Sequence, residues 1–147
     1  MSLIAPQLAT LKAAVTSDAA VTSFIAGANW FSIAQNYNTN TTSLIWRSDI
    51  SPVQIHAGMV GSECIALSNQ QLQLANIVLT AQTIDATNPT VRGQFVAIFS
   101  SAASTLSNLT ALAQRPATKF ESLFVAAQVS TVYGYVLSAA DVQQAMS

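Results

Sequence analysis

The sequence predicts a mostly α fold, a single-domain helical bundle over residues 1–147 with a minor two-stranded β element. Four segments carry apolar residues three and four positions apart, which places them on one face of a helix. Asn or Ser followed by Pro, as in Ser51-Pro52 and Asn88-Pro89, is typical of a helix start. Two short β-prone runs, residues 44–46 and 132–137, are the predicted strands. We see no linker between these segments, so one domain is expected.

The N-terminal segment is predicted to form two short helices. Pro6 suits a first helical turn, and three apolar residues follow at helical spacing, Leu8, Leu11 and Val15. Asp18 is predicted to cap the second helix, which Gly27 ends. Residues 29–43 are rich in Asn and Thr and have no period, so they are predicted to be a long loop, anchored by its aromatic residues Trp30, Phe31 and Tyr37.

The middle of the chain is predicted to hold a strand, a short helix and a long helix. Residues 44–46 form the strand, and Ser51-Pro52 opens a helix that stops near Gly58. Residues 63–81 are apolar over a broad face, with Leu74 and Ile77 among the predicted core residues. A helix that is apolar over so much of its surface is expected at the centre of a bundle.

The second half of the chain is predicted to form three helices and the second strand. Asn88-Pro89 starts the first, whose apolar stripe is predicted to run on to Leu106 and to include Phe95 and Phe99. Pro116 is predicted to open the next, which buries Phe120 and Phe124. Residues 132–137 are the predicted strand. Ser138 and Asp141 form a capping box for the terminal helix.

The composition is unusual in its charge. Only 7% of residues are charged and the net charge is −1, whereas a typical soluble domain has about 25% charged residues. Neutral polar side chains cover the surface instead, and a surface with little net charge favours association. We therefore predict a surface that contacts other proteins. The alternative is a compositional bias towards Ala and Thr without functional meaning.

Several classes of function lack their usual signals. Lys and Arg do not outnumber Asp and Glu, so no nucleic-acid partner is expected. No stretch approaches the ~18–20 apolar residues of a membrane span, so no membrane partner is expected. The first residues carry no basic segment typical of a secretory signal, and the single cysteine, Cys64, has no partner for an internal disulfide. We expect synthesis and assembly in the cytoplasm of a host cell.

No constellation of catalytic or metal-binding residues is visible. His56 is the sole histidine and is predicted at the surface or at a helix end, and Cys64 is predicted to be a small buried apolar residue. One His and one Cys do not make a four-ligand zinc site. The six carboxylates are scattered, without a pair at helical or strand spacing. We predict no enzyme activity, no cofactor and no metal. If the protein has an undetected activity, His56 or Cys64 is the expected participant.

Six residues are the predicted contacts with other proteins: Trp30, Tyr37, Trp46, Arg47, Arg115 and Lys119. Arg115 and Lys119 are four apart on a predicted helix, where two like charges repel each other unless an acidic group pairs with them. One interpretation is an acidic surface on a partner subunit. The other, which we favour, is an internal ion pair with a carboxylate such as Glu63 or Asp85. Trp46-Arg47 places a cation beside an aromatic ring, which is more typical of a structural anchor than of a ligand site.

Five segments resemble, in order and spacing, a family of small proteins encoded in the virion structural region of tailed bacteriophages. They are FSIAQNYN (31–38), IWRSDISPVQI (45–55), NPTVRG (88–93), RPATKFESLF (115–124) and GYVLSAADVQQA (134–145). Residues 128–131 are shorter than the Gly- and Thr-rich turn of that family, and the family's aromatic-acidic pair before the last strand is missing. The resemblance implies a phage structural protein and brings no catalytic residues with it.

The expected function is therefore that of a bacteriophage virion structural protein, an adaptor or accessory subunit of the head, portal or tail. Its partners would be other virion proteins and further copies of itself, and it would reside in the virion. Residues 29–43 and the strand pair are the elements expected to reach neighbours. The alternative is a monomeric phage accessory protein, either a host-directed inhibitor or an assembly chaperone.

Overall fold

The structure, a computed structural model, describes residues 2–147 and confirms the mostly α fold class. Within those residues, 60% of the chain is helical, in ten α-helices with one small two-stranded antiparallel sheet. The chain divides into two compact units. The terminal unit comprises the described residues up to Ser43 together with Pro116–Ser147, and the middle unit comprises Leu44–Arg115. The prediction of a single domain requires the two units to unfold together.

The helices and strands follow one another in short segments. In chain order they are α1 (Ala5–Ser17), α2 (Thr22–Ala26), α3 (Trp30–Tyr37), β1 (Asn40–Trp46), α4 (Pro52–Gly58), α5 (Gly61–Ile65), α6 (Asn69–Leu79), α7 (Pro89–Ile98), α8 (Ala103–Leu112), β2 (Gln114–Thr118), α9 (Lys119–Val125), a 3₁₀ turn (Ser130–Val132) and α10 (Ala139–Met146). The boundary between the units falls inside both strands, which pair with each other.

Capping explains why several of these short helices begin where they do. The Ser51 side chain accepts from the Gln54 amide at the start of α4, and Ser138 does the same for Asp141 at the start of α10. Both starts were predicted. α6 and α9 also begin with capping boxes, and in that of α9 Thr118 and Glu121 satisfy each other's backbone amides. Such reciprocal bonds satisfy amides that the first helical turn leaves without partners.

The prediction that residues 29–43 form a long loop is wrong. The Asn29 side chain accepts from the Ser32 amide and caps α3, whose inner face buries Ile33 and Tyr37. The chain then enters β1, which contains the predicted strand at residues 44–46 and extends it back to Asn40. Because the segment is rich in Asn and Thr, its composition favours a loop and does not predict α3 or the first part of β1.

The prediction of a second strand at residues 132–137 is also wrong, because this segment forms no strand. This segment passes from the 3₁₀ turn into extended chain, and the Asn38 side chain takes the place of a partner strand there. The Asn38 Nδ2 donates to the Leu137 carbonyl at 2.8 Å, and the Leu137 amide donates to the Asn38 Oδ1 at 2.9 Å. The partner of β1 is instead β2, where Pro116 had been predicted to open a helix.

Two predicted long helical stretches are broken in the structure. Residues 63–81 divide into α5 and α6, and within α6 only Ala75 is buried while Ile77 is 69% exposed. This helix therefore does not occupy the centre of a core. The stripe predicted to reach Leu106 also breaks, because α7 ends at Ile98 and α8 begins at Ala103.

Each unit has its own hydrophobic core. The core of the terminal unit includes Leu11, Ile33, Tyr37, Phe120 and Phe124. That of the middle unit is built around Phe99, with the half-buried ring of Phe95 stacked on it at a centroid distance of 6.1 Å. Of the six predicted core residues, Phe99, Phe120 and Phe124 are buried, Leu74 and Phe95 are half-buried, and Ile77 is exposed.

Candidate functional site

The charged side chains of this protein are almost all engaged by the chain itself. Ten of the eleven Lys, Arg, Asp and Glu residues make a hydrogen bond, ion pair or other interaction within the described residues. Lys12, on the exposed face of α1, is the eleventh. A surface with so few charges, most of which are bonded within the chain, offers a partner mainly neutral polar and apolar groups.

Lys119 forms the ion pair of the terminal unit. Its ammonium group donates to the Asp18 carboxylate and, at 2.8 Å, to the Asn36 Oδ1, and lies 4.8 Å from the centre of the Tyr37 ring. The hydrogen bond from Lys119 lowers the pKa of Asp18, and burial raises the pKa of Tyr37. The internal ion pair that we favoured is thus present for Lys119, but its partner is neither Glu63 nor Asp85.

Arg115 and Lys119 do not share a helix face. Arg115 lies in β2 and Lys119 is the first residue of α9. In the middle unit, the Arg47 Nε donates to the Asp49 Oδ1 at 2.9 Å. That bond lowers the pKa of Asp49, and the positive charge of Arg115 adds a smaller effect in the same direction. The pair is largely open to water, because 72% of the Asp49 side chain is exposed, so its contribution to stability is small.

Glu63 has a role that the sequence did not reveal. Its carboxylate accepts from the backbone amides of Ser104 (3.0 Å) and Thr105 (2.7 Å) and so caps α8 from α5. The bond from the Thr105 amide is the main reason why the pKa of Glu63 falls to about 2. The local N-cap position of α8 is Ala102, which has no side-chain acceptor. A carboxylate 41 residues away in sequence supplies it instead.

None of the six predicted contact residues is fully exposed. Tyr37 is only 1% exposed and lies in the core of the terminal unit. Trp30, half-buried at the start of α3, packs against that core. The other four, Trp46, Arg47, Arg115 and Lys119, are half-buried. Trp30, Tyr37 and Lys119 belong to the terminal unit, and the other three belong to the middle unit, where Trp46 and Arg47 are neighbours at the end of β1.

The exposed large apolar side chains are not among these six, although Phe31, Leu44 and Val136 lie in the segments that were expected to reach neighbours. There are nine among the described residues, and six of them belong to the middle unit: Leu44, Val53, Ile65, Leu72, Ile77 and Val96. Ile65 is the most exposed, at 88%. Single exposed apolar residues are ordinary, but their concentration in one unit makes the middle unit the better candidate for protein contacts.

The middle unit also contains an apolar pocket with a volume of about 80 Å³. Twelve of its fourteen lining residues are apolar, and the remaining two are Arg92 and Thr110. Its inner wall includes Ile50 and Ile84, whose backbones form an isolated antiparallel bridge. Val96, which is 54% exposed, and the exposed Thr110 also line it, so the pocket opens to solvent on that side.

Arg92 is the one charged residue of the pocket wall. Its Nη1 donates to the carbonyl oxygens of Ala86 (2.6 Å) and Thr87 (2.9 Å), and its guanidinium carbon lies 4.7 Å from the centre of the Trp46 ring. Within residues 2–147 it forms no ion pair with a carboxylate, and its Nε and Nη2 groups find no acceptor. The arrangement combines an apolar recess with an unneutralised, geometrically fixed cation.

The residues considered for chemistry are apart from this pocket. His56 is exposed in the last turn of α4, a helix end as predicted, and Cys64 is half-buried in α5 rather than fully buried. Across the described part of the chain, no three His, Cys, Asp or Glu side chains are grouped so that they could hold a metal ion. None of the helices formed by these residues has the length and apolar character needed to cross a bilayer.

Comparison with protein-family models, with curated proteins and with solved structures finds no match to this chain in any of the three.

Proposed function

We propose that this chain is a structural subunit of a tailed-bacteriophage particle, an adaptor or accessory component of the head, portal or tail. It binds neighbouring virion proteins, including copies of itself, through apolar and neutral polar contacts. The observation that carries the proposal is the engagement of ten of eleven charged side chains within the chain. The family resemblance of the five sequence segments supplies the phage context.

The physical basis is the small contribution that charges can make to such an interface. An exposed ion pair contributes about 0–1 kcal/mol, and this chain has few charges free to form one. Burial of apolar surface contributes about 25 cal/mol per Å². The exposed apolar residues of the middle unit, with Val53 and Ile65 the most prominent, are the groups that a neighbour would cover.

Purified particles test the proposal. Quantitative mass spectrometry of particles from a lysate is expected to find the chain in a fixed ratio to the major capsid protein. A wash in about 1 M salt, where the Debye length is about 3 Å, is expected to leave it bound because screening acts on charges. Release by salt alone would contradict a neutral interface and indicate one built on Arg92, Arg115 and Lys119. Absence from the particles would favour the accessory-protein alternative.

A surface variant locates the interface. Ile65→Asp places a charge on an 88% exposed side chain, so the isolated protein is expected to keep its stability while its incorporation into particles falls. Ile65→Val, which preserves the apolar character, is the matched control and is expected to be incorporated normally. Equal incorporation of both variants would show that α5 faces away from the neighbouring subunit.

A further inference from the structure

We propose that the pocket of the middle unit binds a short aliphatic carboxylate, with its hydrocarbon end among the apolar side chains and its carboxylate on Arg92. This is a small-molecule site, independent of the role in a particle proposed above. It rests on the volume of the recess, on its lining, and on the unneutralised guanidinium at its wall.

The volume limits the size of the apolar group. A cavity of about 150 Å³ lined by aliphatic and aromatic side chains binds benzene. A recess of about 80 Å³ is about half of that and takes an apolar group of roughly three to four carbons. Such a group would contact Phe95 and Leu109, and the lining offers it no competing polar partner apart from Thr110 and Arg92.

The charge selects the other end of the ligand. The Arg92 Nη1 is already fixed by two backbone carbonyls, which orients the guanidinium while its Nε and Nη2 groups stay available. Arginine binds carboxylates through two parallel N–H donors, and such charge-assisted bonds are roughly twice as strong as neutral ones. Stacking on Trp46 restrains the guanidinium further, so little side-chain freedom is lost on binding.

The two tryptophans of the chain allow a direct test with the intact protein. Trp46 lines the pocket and Trp30 lies in the terminal unit, so their indole N–H resonances report on the pocket and on the other unit in one spectrum. The probes are 3-methylbutanoate and its uncharged amide, 3-methylbutanamide. We expect a saturable shift of the Trp46 signal with a stationary Trp30 signal, and binding of the carboxylate about tenfold tighter than that of the amide.

Three variants assign the effect. Arg92→Gln is expected to remove the tenfold preference and leave amide binding in place. Lys12→Gln changes the net charge equally at an exposed site of the other unit and is expected to retain the preference. Ala113→Leu, which fills the recess, is expected to abolish binding of both probes. If Arg92→Gln does not fold, the two probes on the unaltered protein and on Ala113→Leu decide the matter.

The proposal is overturned by any of three results. A Trp46 signal that neither probe shifts would mean that no site exists. Equal binding of carboxylate and amide would mean that Arg92 selects nothing. Parallel shifts of the Trp46 and Trp30 signals would mean general adsorption to the surface.

Discussion

The two units of this protein bury their side chains to different degrees. Among the twelve largest side chains that are fully buried, nine lie in the terminal unit and three, Ile50, Ile98 and Phe99, in the middle unit. The middle unit has the open pocket and most of the exposed large apolar residues. The difference teaches that packing is uneven along the chain: the terminal unit buries most of its large side chains, whereas the middle unit leaves more apolar surface exposed.

The largest change in stability is expected when the ring of Phe120 is removed. This ring is fully buried and meets the ring of Phe124 edge to face, with 5.3 Å between the ring centroids. Phe120→Ala is expected to lower the free energy of unfolding by about 3–5 kcal/mol, because a cavity remains where the ring was. Urea denaturation followed by tryptophan fluorescence measures the loss. In single-tryptophan variants, a single domain predicts the same loss from Trp30 and from Trp46. A loss reported by Trp30 alone would show that the units unfold separately.

A smaller effect is expected from Phe95, which is half-buried at the pocket wall. Phe95→Ala removes a ring that already borders open space, so a loss of about 1–2 kcal/mol is expected. The same denaturation experiment applies, with Phe120→Ala as the reference. Equal losses from the two substitutions would mean that the middle unit is packed as tightly as the terminal unit.

Filling the pocket is expected to stabilise the protein. Ala113 lies at the pocket wall, and Ala113→Leu is expected to raise the free energy of unfolding by about 0.5–2 kcal/mol, as cavity-filling substitutions commonly do. Ala111→Leu, at an exposed position of α8, is the control and is expected to change it little. A destabilised Ala113→Leu would indicate that the wall is too rigid to admit the side chain.

The smallest effect is a pH dependence from Glu63. Its pKa is lowered from 4.5 to about 2 in the folded chain, so its ionised form stabilises the fold above pH 4.5. As pH falls from about 4.5 to about 2, Glu63 is protonated in the unfolded state but is still largely ionised in the folded state. The unfolded state therefore binds more protons, and the stabilisation is lost. Thermal melts over that range are expected to show a flatter pH response in Glu63→Gln than in the unaltered protein. An identical response would mean that the cap on α8 is absent in solution.

Local chemistry made part of the fold predictable from the sequence. The starts of α4, α7 and α10 follow from Ser51-Pro52, Asn88-Pro89 and the Ser138–Asp141 capping box. The signal for α9 is also present, because Thr118 and Glu121 have capping-box spacing, but Pro116 predicts a helix start three residues too early. α3 had a similar signal in Asn29, with apolar residues at helical spacing behind it.

Other features depend on contacts that are distant in sequence. The break before α8 has no local capping residue, and Glu63 supplies the cap from another helix. Residues 132–137 favour a strand by composition, yet the Asn38 side chain satisfies the Leu137 backbone. The pocket depends on the bridge between Ile50 and Ile84 and on the orientation of Arg92, none of which has a signature in the chain. Propensity alone does not predict such contacts.

Native-state amide hydrogen exchange tests the contrast between the two units most directly. Local and sub-global opening exposes amides with free energies that reflect the packing of each region. The buried residues Leu11, Ile33 and Phe124 of the terminal unit have amides that are expected to exchange only by global unfolding. Those of the middle unit, at Ile98 and Phe99, are expected to exchange faster through partial opening around the pocket. Equal protection in both units, or greater protection in the middle unit, would contradict the division into a closed core and an open one.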